Sequence, residues 1–257
     1  MKLLAIGDVV GESTLAYLRR TLPEVRRQYG ADLVIANGEN ACDIHGISKA
    51  AAEALFDAGV DLITSGNHVF DRRDAASVLE SDAPVIRPCN YPAECPGEGA
   101  RMITSADGWQ VLVVNVSGCV FMESLGNPFS SVRYALDHAK GRYDFAILDV
   151  HAEATSEKLA IARYFDGEFA AIFGTHTHVQ TNDAQILPNG TGYITDLGMT
   201  GPVNGILGVR AEDVILRNRL HLPQRFTVAG GEIRASGALF EINPNNGTCL
   251  SAKPISF

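Results

Sequence analysis

Asp8, Glu39, Asn40, Asn67, His151, His176 and His178 are the residues of this chain whose types could together do metal chemistry. All seven offer oxygen or nitrogen donors, and no thiolate is among them. Two di- or trivalent ions about 3.5–4 Å apart need a bridging oxygen ligand and several terminal ones. A carboxylate bridges well because each of its oxygens can bind a different ion. An imidazole supplies a neutral nitrogen, and an Asn carbonyl fills a position without adding charge. Such a set suits two iron or manganese ions, with zinc as a further option, and not a structural Cys-rich zinc site.

Each of these residues stands where a short apolar run stops. Leu3-Leu4-Ala5-Ile6-Gly7 ends at Asp8, and Asp32-Leu33-Val34-Ile35-Ala36 opens into Asn37-Gly38-Glu39-Asn40. Asp61-Leu62-Ile63-Thr64 opens into Ser65-Gly66-Asn67-His68. Later runs end at Asn115, at His151, at His176 and His178, and at Asp196. In α/β sheets, ligands and catalytic groups gather at the carboxyl ends of strands. Singly, Gly7-Asp8 reads equally well as a helix cap, and His151 decides nothing. His176 and His178, at alternate positions of an extended segment, would point the same way, which suits neighbouring ions. The recurrence describes a site.

The elements that must position these residues alternate between strand and helix, which indicates an α/β fold. Ser13 is placed to cap a helix with Leu15, Leu18, Leu22 and Val25 on one face, which Pro23 should kink or divide. Ser48 caps a helix over 49–58, which Gly59 ends in a left-handed conformation. A short helix follows Asp71 through Ala75, Ala76, Val78 and Leu79. Asp107-Gly108 marks a hairpin between runs at 100–105 and 109–116. Helices are expected over 129–139 and 156–165, the second capped by Ser156. Near the carboxyl end, Gly230-Gly231 and Asn245-Asn246-Gly247 punctuate short alternating runs, as antiparallel strands at a sheet edge would. With no linker, repeat or low-complexity tract, one domain spanning 1–257 is expected.

Hydrophobic residues make up 46% and charged residues 20% of the 257, ordinary for a globular protein. No apolar stretch reaches the roughly 18–20 residues needed to span a bilayer. Asp8 comes too early for a signal peptide's apolar region, so a cytoplasmic protein without membrane partners is expected. A net charge of −9 disfavours general nucleic-acid binding. Arg19, Arg20, Arg26 and Arg27 read as a solvated helix face. The five cysteines form no CxxC pair and read as reduced, small buried hydrophobes, although Cys42 lies three residues after Glu39.

The ordered set Gly7-Asp8, Gly38-Glu39-Asn40, Gly66-Asn67-His68, Asp149-Val150-His151 and Gly174-Thr175-His176-Thr177-His178 resembles the calcineurin-like metallophosphoesterase superfamily. More narrowly, it is similar to the YmdB-like branch of bacterial phosphodiesterases. Val10 stands where the superfamily's Asp-x-His opening has its His, and Glu39 followed by Asn40 stands where most relatives have Asp. Arg87-Pro88-Cys89-Asn90-Tyr91-Pro92, the segment from His151 through Glu153 to Lys158, and Thr195-Asp196-Leu197-Gly198-Met199-Thr200-Gly201-Pro202 also match.

The resemblance implies a four-layered α/β/β/α sandwich with mixed sheets. It implies that Glu39 bridges two ions, that Asp8, Asn40 and His178 hold the first, and that Asn67, His151 and His176 hold the second. It also implies hydrolysis of small cyclic nucleotides such as 2′,3′-cyclic AMP, by in-line attack of a water that the ions activate, in a homo-oligomer. His68, unneeded as a ligand, is free to protonate the leaving alkoxide. Asp71 is placed either to pair with His68 or to cap the next helix. A phosphomonoesterase or nuclease using the same ions, and a non-enzymatic metal-binding regulator, are the competing readings.

The chain departs from the family pattern in two places. Its loop after Glu39-Asn40 is Ala41-Cys42-Asp43-Ile44-His45-Gly46-Ile47, where relatives have small residues and glycines. Asp43 and His45 read as solvated loop residues. Cys119 follows Gly118 where many relatives have Arg, which bears on specificity more than on catalysis. The Gly-rich stretch at 198–208 is a candidate to close over the site.

Overall fold

The central strands are apolar on both faces, and strand alternation converts that into four layers. The computed structural model describes residues 1–257. In chain order the first half comprises β1 (Lys2–Ile6), β2 (Asp8–Val9), α1 (Glu12–Tyr29), β3 (Leu33–Asn37), α2 (Lys49–Asp57), β4 (Leu62–Thr64), α3 (Ala75–Leu79), β5 (Ala100–Thr104), β6 (Gln110–Ser117) and α4 (Pro128–Ala139). The second half comprises β7 (Phe145–His151), α5 (Thr155–Tyr164), β8 (Ala171–Thr175), β9 (Gln185–Ile186), β10 (Gly192–Ile194), β11 (Met199–Pro202), α6 (Ala211–Leu220), β12 (Ile233–Arg234), β13 (Ser236–Ile242) and β14 (Cys249–Ser256).

Two mixed sheets, ordered β14-β13-β1-β3-β4 and β5-β6-β7-β8-β10-β9, form the inner layers. Leu3, Ala5, Leu33 and Ile35 face Val113, Ile147 and Phe173 in the core between the sheets. The alternate residues Leu4, Ile6, Val34 and Ala36 pack outward under Leu15, Leu18 and Leu22 of α1 and Leu55 of α2. On the other side, Leu112, Val114, Leu148 and Ile172 pack under α4 and α5 through Val132, Leu136 and Ile161. The α/β/β/α sandwich is thus present. Strands β1, β3 and β4 run parallel, as do β6, β7, β8 and β10, so their carboxyl ends collect the loops that follow them. A third, three-stranded sheet, β12-β11-β2, continues beyond β1. No helix is long and apolar enough to cross a membrane.

Several local expectations hold. The Ser48 hydroxyl accepts from the Ala51 N–H at 3.2 Å, and Gly59 takes φ 101 after α2. Residues 100–104 and 110–114 pair as a hairpin with Gly108 at φ 86 in its turn. Others need correction. Gly11, at φ 80, precedes α1, so Ser13 lies inside the first turn rather than capping it. Pro23 does not divide α1, whose buried face of Leu15, Leu18, Leu22 and Val25 holds the 18-residue helix together. Ser156 is likewise one residue inside α5 and makes no cap. Strand β14 is an edge, but β13 lies inside the sheet, between β14 and β1. Helix α6 was not foreseen, because it buries only Asp213 and shows no apolar stripe.

Two further expectations fail for packing reasons. Arg26 is not part of a solvated face: its guanidinium donates to the Gly59 carbonyl at 2.8 Å and pairs with Asp61 at 3.0 Å, tying α1 to the loop before β4. All five cysteines are free, but Cys42 and Cys249 alone are buried; Cys89, Cys95 and Cys119 are half-buried in loops.

Gly7 sits between β1 and β2 with no room for a side chain: a Cβ there would lie 1.8 Å from the Gly198 carbonyl oxygen. Backbone cannot yield as a flexible side chain would. Gly7→Ala is therefore expected to destabilise the fold by about 2–3 kcal/mol. Equilibrium urea denaturation checks this.

Candidate metal centre

The seven donors predicted from the sequence come from several loops and strand ends, and the fold brings all of them together. Asp8 follows β1, Glu39 and Asn40 follow β3, Asn67 follows β4, His151 closes β7, and His176 and His178 follow β8. They fall into two groups. In one, His151 Nε2 lies 3.0 Å from Asn67 Oδ1, 3.1 Å from His176 Nδ1 and 3.2 Å from Glu39 Oε1. In the other, His178 Nε2 lies 3.3 Å from Asn40 Nδ2 and 3.9 Å from Asp8 Oδ1. Glu39 touches both, since its Oε1 also accepts from Asn40 Nδ2 at 3.0 Å.

The chemistry of this donor set fits cations. A single proton on His151 Nε2 cannot satisfy three acceptors at once, whereas a metal ion accepts lone pairs from all of them. Asn40 Oδ1 is buried without any hydrogen-bond partner, as a carbonyl kept for a cation would be. The approach is so close that a Cβ on Gly66 would meet His151 Nε2 at 2.2 Å and Glu39 Oε2 at 2.3 Å. This explains why glycine precedes Asn67.

Electrostatics agree. Burial pushes the Asp8 carboxyl up to about 6, although His178 and His151 oppose the shift. Burial also disfavours the Glu39 carboxylate, but His151 more than offsets it and brings Glu39 down to about 2. Burial likewise opposes charge on His151, and Glu39 outweighs it, raising the imidazole to about 9. His176 is pushed down to about 3 by burial and by His151. Two buried carboxylates set among three imidazoles make a place where a cation would relieve the burial of both acids.

One premise from the sequence fails. Strand β8 ends at Thr175, so His176 and His178 do not alternate along an extended segment. They take φ 96 and φ 63, a left-handed backbone that non-glycine residues rarely adopt. The strained turn brings them to the site, and the surrounding hydrogen bonds hold it. His176 N–H donates to the Asp8 carboxylate at 3.1 Å, and the Asp196 carboxylate accepts from Thr177 N–H at 3.1 Å and its hydroxyl at 2.8 Å. Lys158 Nζ, 1% exposed, completes this clamp 2.7 Å from Asp196. Asn115 Oδ1 accepts from the Ser65 N–H at 3.1 Å, so Asp196 and Asn115 brace the site instead of joining it.

Behind the donors is a buried polar cluster that sequence reasoning missed. The Asp149 carboxylate accepts from the Thr64 hydroxyl at 2.5 Å, the Thr175 hydroxyl at 2.7 Å and Asn37 Nδ2 at 3.3 Å. His151 Nδ1 meets the same Thr175 oxygen at 2.9 Å. The signal was present, as polar residues inside otherwise apolar runs.

At the rim, His68 Nδ1 lies 2.8 Å from Asp71 Oδ2. Asp71 is not a helix cap, since α3 begins after Asp74. His45 is exposed, as expected of this loop, but not free, since its ring stacks on His68. Asp43 is likewise exposed, at φ 47. His45 and His68 border a cavity of about 330 Å³ lined by Glu39, Asn40, His176 and His178, with Leu207, Val209 and Phe226 as an apolar wall. The 198–208 stretch is partly strand β11 and not a free flap, although Leu207 at its end does line the cavity. Cys119 sits in a loop whose N–H groups at 119 and 120 donate to the Glu157 carboxylate at 2.9 and 3.2 Å. A larger cavity of about 690 Å³, between α4 and residues 87–102, contains none of the seven donors.

Lys158→Met would leave Asp196 buried without its cation. Breaking a buried pair from one side costs about 3–5 kcal/mol. The expected loss of stability in chemical denaturation should be accompanied by weaker metal uptake, because the clamp orders the His176–His178 turn.

Comparisons with known proteins agree with this fold. The profile of the YmdB-like protein family matches residues 4–255. A 2′,3′-cyclic-nucleotide 2′-phosphodiesterase of Bacillus subtilis (strain 168) is 41% identical over 243 residues, 95% of this chain and 92% of that protein. The crystal structure of a hypothetical protein from Thermus thermophilus superposes with a TM-score of 0.93 at 41% identity, covering 100% of this chain and 99% of the other. That of a novel phosphatase from Mycoplasma pneumoniae gives a TM-score of 0.93 at 32% identity, covering 100% and 93%. With the donor groups in place and the family matched along nearly its whole length, this chain belongs to the YmdB-like family of the metallophosphoesterase fold.

Proposed function

We propose that this protein is a dimetal phosphodiesterase acting on small cyclic nucleotides of the 2′,3′-cyclic AMP kind. The family and its named relatives make it a hydrolase of phosphoric esters. The observation that carries the finer reading is the pair of donor groups sharing Glu39, with His68 beside them on the cavity rim. Glu39 would bridge the ions, with Asp8, Asn40 and His178 holding one and Asn67, His151 and His176 the other. Iron or manganese suits these donors. Bound there, the ions would supply an activated water and neutralise charge on the phosphate oxygens.

The remaining work falls to the chain. A cavity of about 330 Å³ matches a small ester and leaves a long nucleic-acid strand little room. His68 Nδ1 is engaged by Asp71, while its Nε2 makes no hydrogen bond within the protein. With Asp71 accepting from Nδ1–H, the ring is oriented so that Nε2–H can donate its proton to the departing ribose oxygen. A phosphomonoesterase is the second reading, because the Mycoplasma pneumoniae relative is described as a phosphatase.

The first test is hydrolysis of bis-p-nitrophenyl phosphate against p-nitrophenyl phosphate, on protein loaded with manganese or iron. Metal-dependent turnover favouring the diester is expected; preference for the monoester would shift the assignment to a phosphatase. Metal analysis should find two ions in the wild type and fewer in Glu39→Gln. His68→Ala should keep both ions yet lose about 10²–10⁴-fold of its turnover of a nucleoside 2′,3′-cyclic phosphate. Full turnover in that variant would remove His68 as the proton donor.

A further inference from the structure

His45 occupies a position that the reading of His68 as proton donor leaves without a role. Its ring lies parallel to that of His68, with centroids 3.7 Å apart and planes within 6°. One carboxylate oxygen serves both: Asp71 Oδ2 is 2.8 Å from His68 Nδ1 and 3.5 Å from His45 Nδ1. The loop carrying His45 is built to reach this place. Cys42 N–H donates to the Gly46 carbonyl at 3.1 Å and closes it. Gly46, at φ 81, passes so near the next segment that a Cβ would lie 2.3 Å from Arg72 Cγ. The loop is therefore packed against Arg72, the chain neighbour of the Asp71 that engages His68.

The donor atoms of His45, His68 and Asp71 lie within 4.8 Å of one another, close enough to raise the question of a third metal. The ring geometry answers it. An imidazole lone pair lies in the ring plane, so two nearly parallel rings aim theirs side by side instead of converging on one point. A shared carboxylate suits that arrangement better than an ion.

We propose that His45 is a positioning residue for His68. A histidine's second side-chain torsion is broad, so one hydrogen bond at Nδ1 leaves the ring free to rock. Asp71 fixes where Nδ1 points, and the face of His45 fixes the plane, so that Nε2 meets the leaving oxygen in line. Small displacements of a catalytic group cost large factors in rate. The chain thus uses a flat aromatic side chain to hold its proton donor.

This inference rests on the proposed reading of the site, and leaving-group dependence tests it. A ribose alkoxide needs a proton to depart, whereas p-nitrophenolate does not. His45→Ala is expected to lose at least tenfold more kcat on a nucleoside 2′,3′-cyclic phosphate than on bis-p-nitrophenyl phosphate, with KM little changed. His45→Phe, which keeps a flat face, should recover most of that loss. An equal loss on both esters, no loss on either, or a raised KM with kcat unchanged would each overturn the proposal. Carbon-13 relaxation of the His68 ring in metal-free protein gives an independent arm. Its order parameter should fall in His45→Ala and return in His45→Phe; an unchanged value overturns the positioning role. If the wild type cleaves no diester, the proposed function fails and the relaxation arm alone decides the role of His45.

Discussion

The site depends first on the Asp149 carboxylate, which sits between the two sheets where the apolar interior gives way to the donors. Thr64 and Thr175 both give it their hydroxyl protons, and Asn37 adds an amide proton. One side chain thus ties β3, β4, β7 and β8 together at their carboxyl ends. It also sets a proton several bonds away. Because the Thr175 hydroxyl donates to Asp149, its oxygen must accept from His151 Nδ1–H. The opposite nitrogen, Nε2, is then the one left with a lone pair for a cation, facing Asn67, His176 and Glu39. A buried anion with three donors thereby selects the tautomer that a ligand needs.

Much of this was legible in the sequence, because the strand ends carry their own signal. An apolar run closing on Asp8, Glu39, Asn67 or His151 states both where a strand stops and what it presents. The four layers follow from residues such as Leu3 and Leu4, which are both fully buried yet belong to different cores. The polar residues of the Asp149 cluster were visible inside apolar runs, but their pairing was not legible. Asn37 and Asp149 are 112 residues apart, and a polar side chain in an apolar strand does not announce its partner. Nor was the backbone of His176 and His178, since a strand pattern carries no mark of where φ turns positive.

Helix starts were misread for a related reason. Ser13 and Ser156 have the right side chain for a cap, but the chain had already turned at Gly11 and Ala154. At Ser48, local chemistry and chain direction coincide, and the cap forms. His45 shows the limit of reading a loop by polarity alone: a half-exposed imidazole can still be held by an aromatic face and a carboxylate that only folding brings near.

The left-handed residues after β8 place stability and chemistry in opposition. Glycine or asparagine would sit at those two positions with less backbone cost, each non-glycine residue in such a region costing about 1–3 kcal/mol. Neither replacement would supply an imidazole. Variants picked for heat resistance alone would therefore be drawn toward discarding His176 and His178, and would become sturdier as they became inert. Retention of both histidines is a debt the fold carries, serviced by the Lys158–Asp196 clamp beneath them.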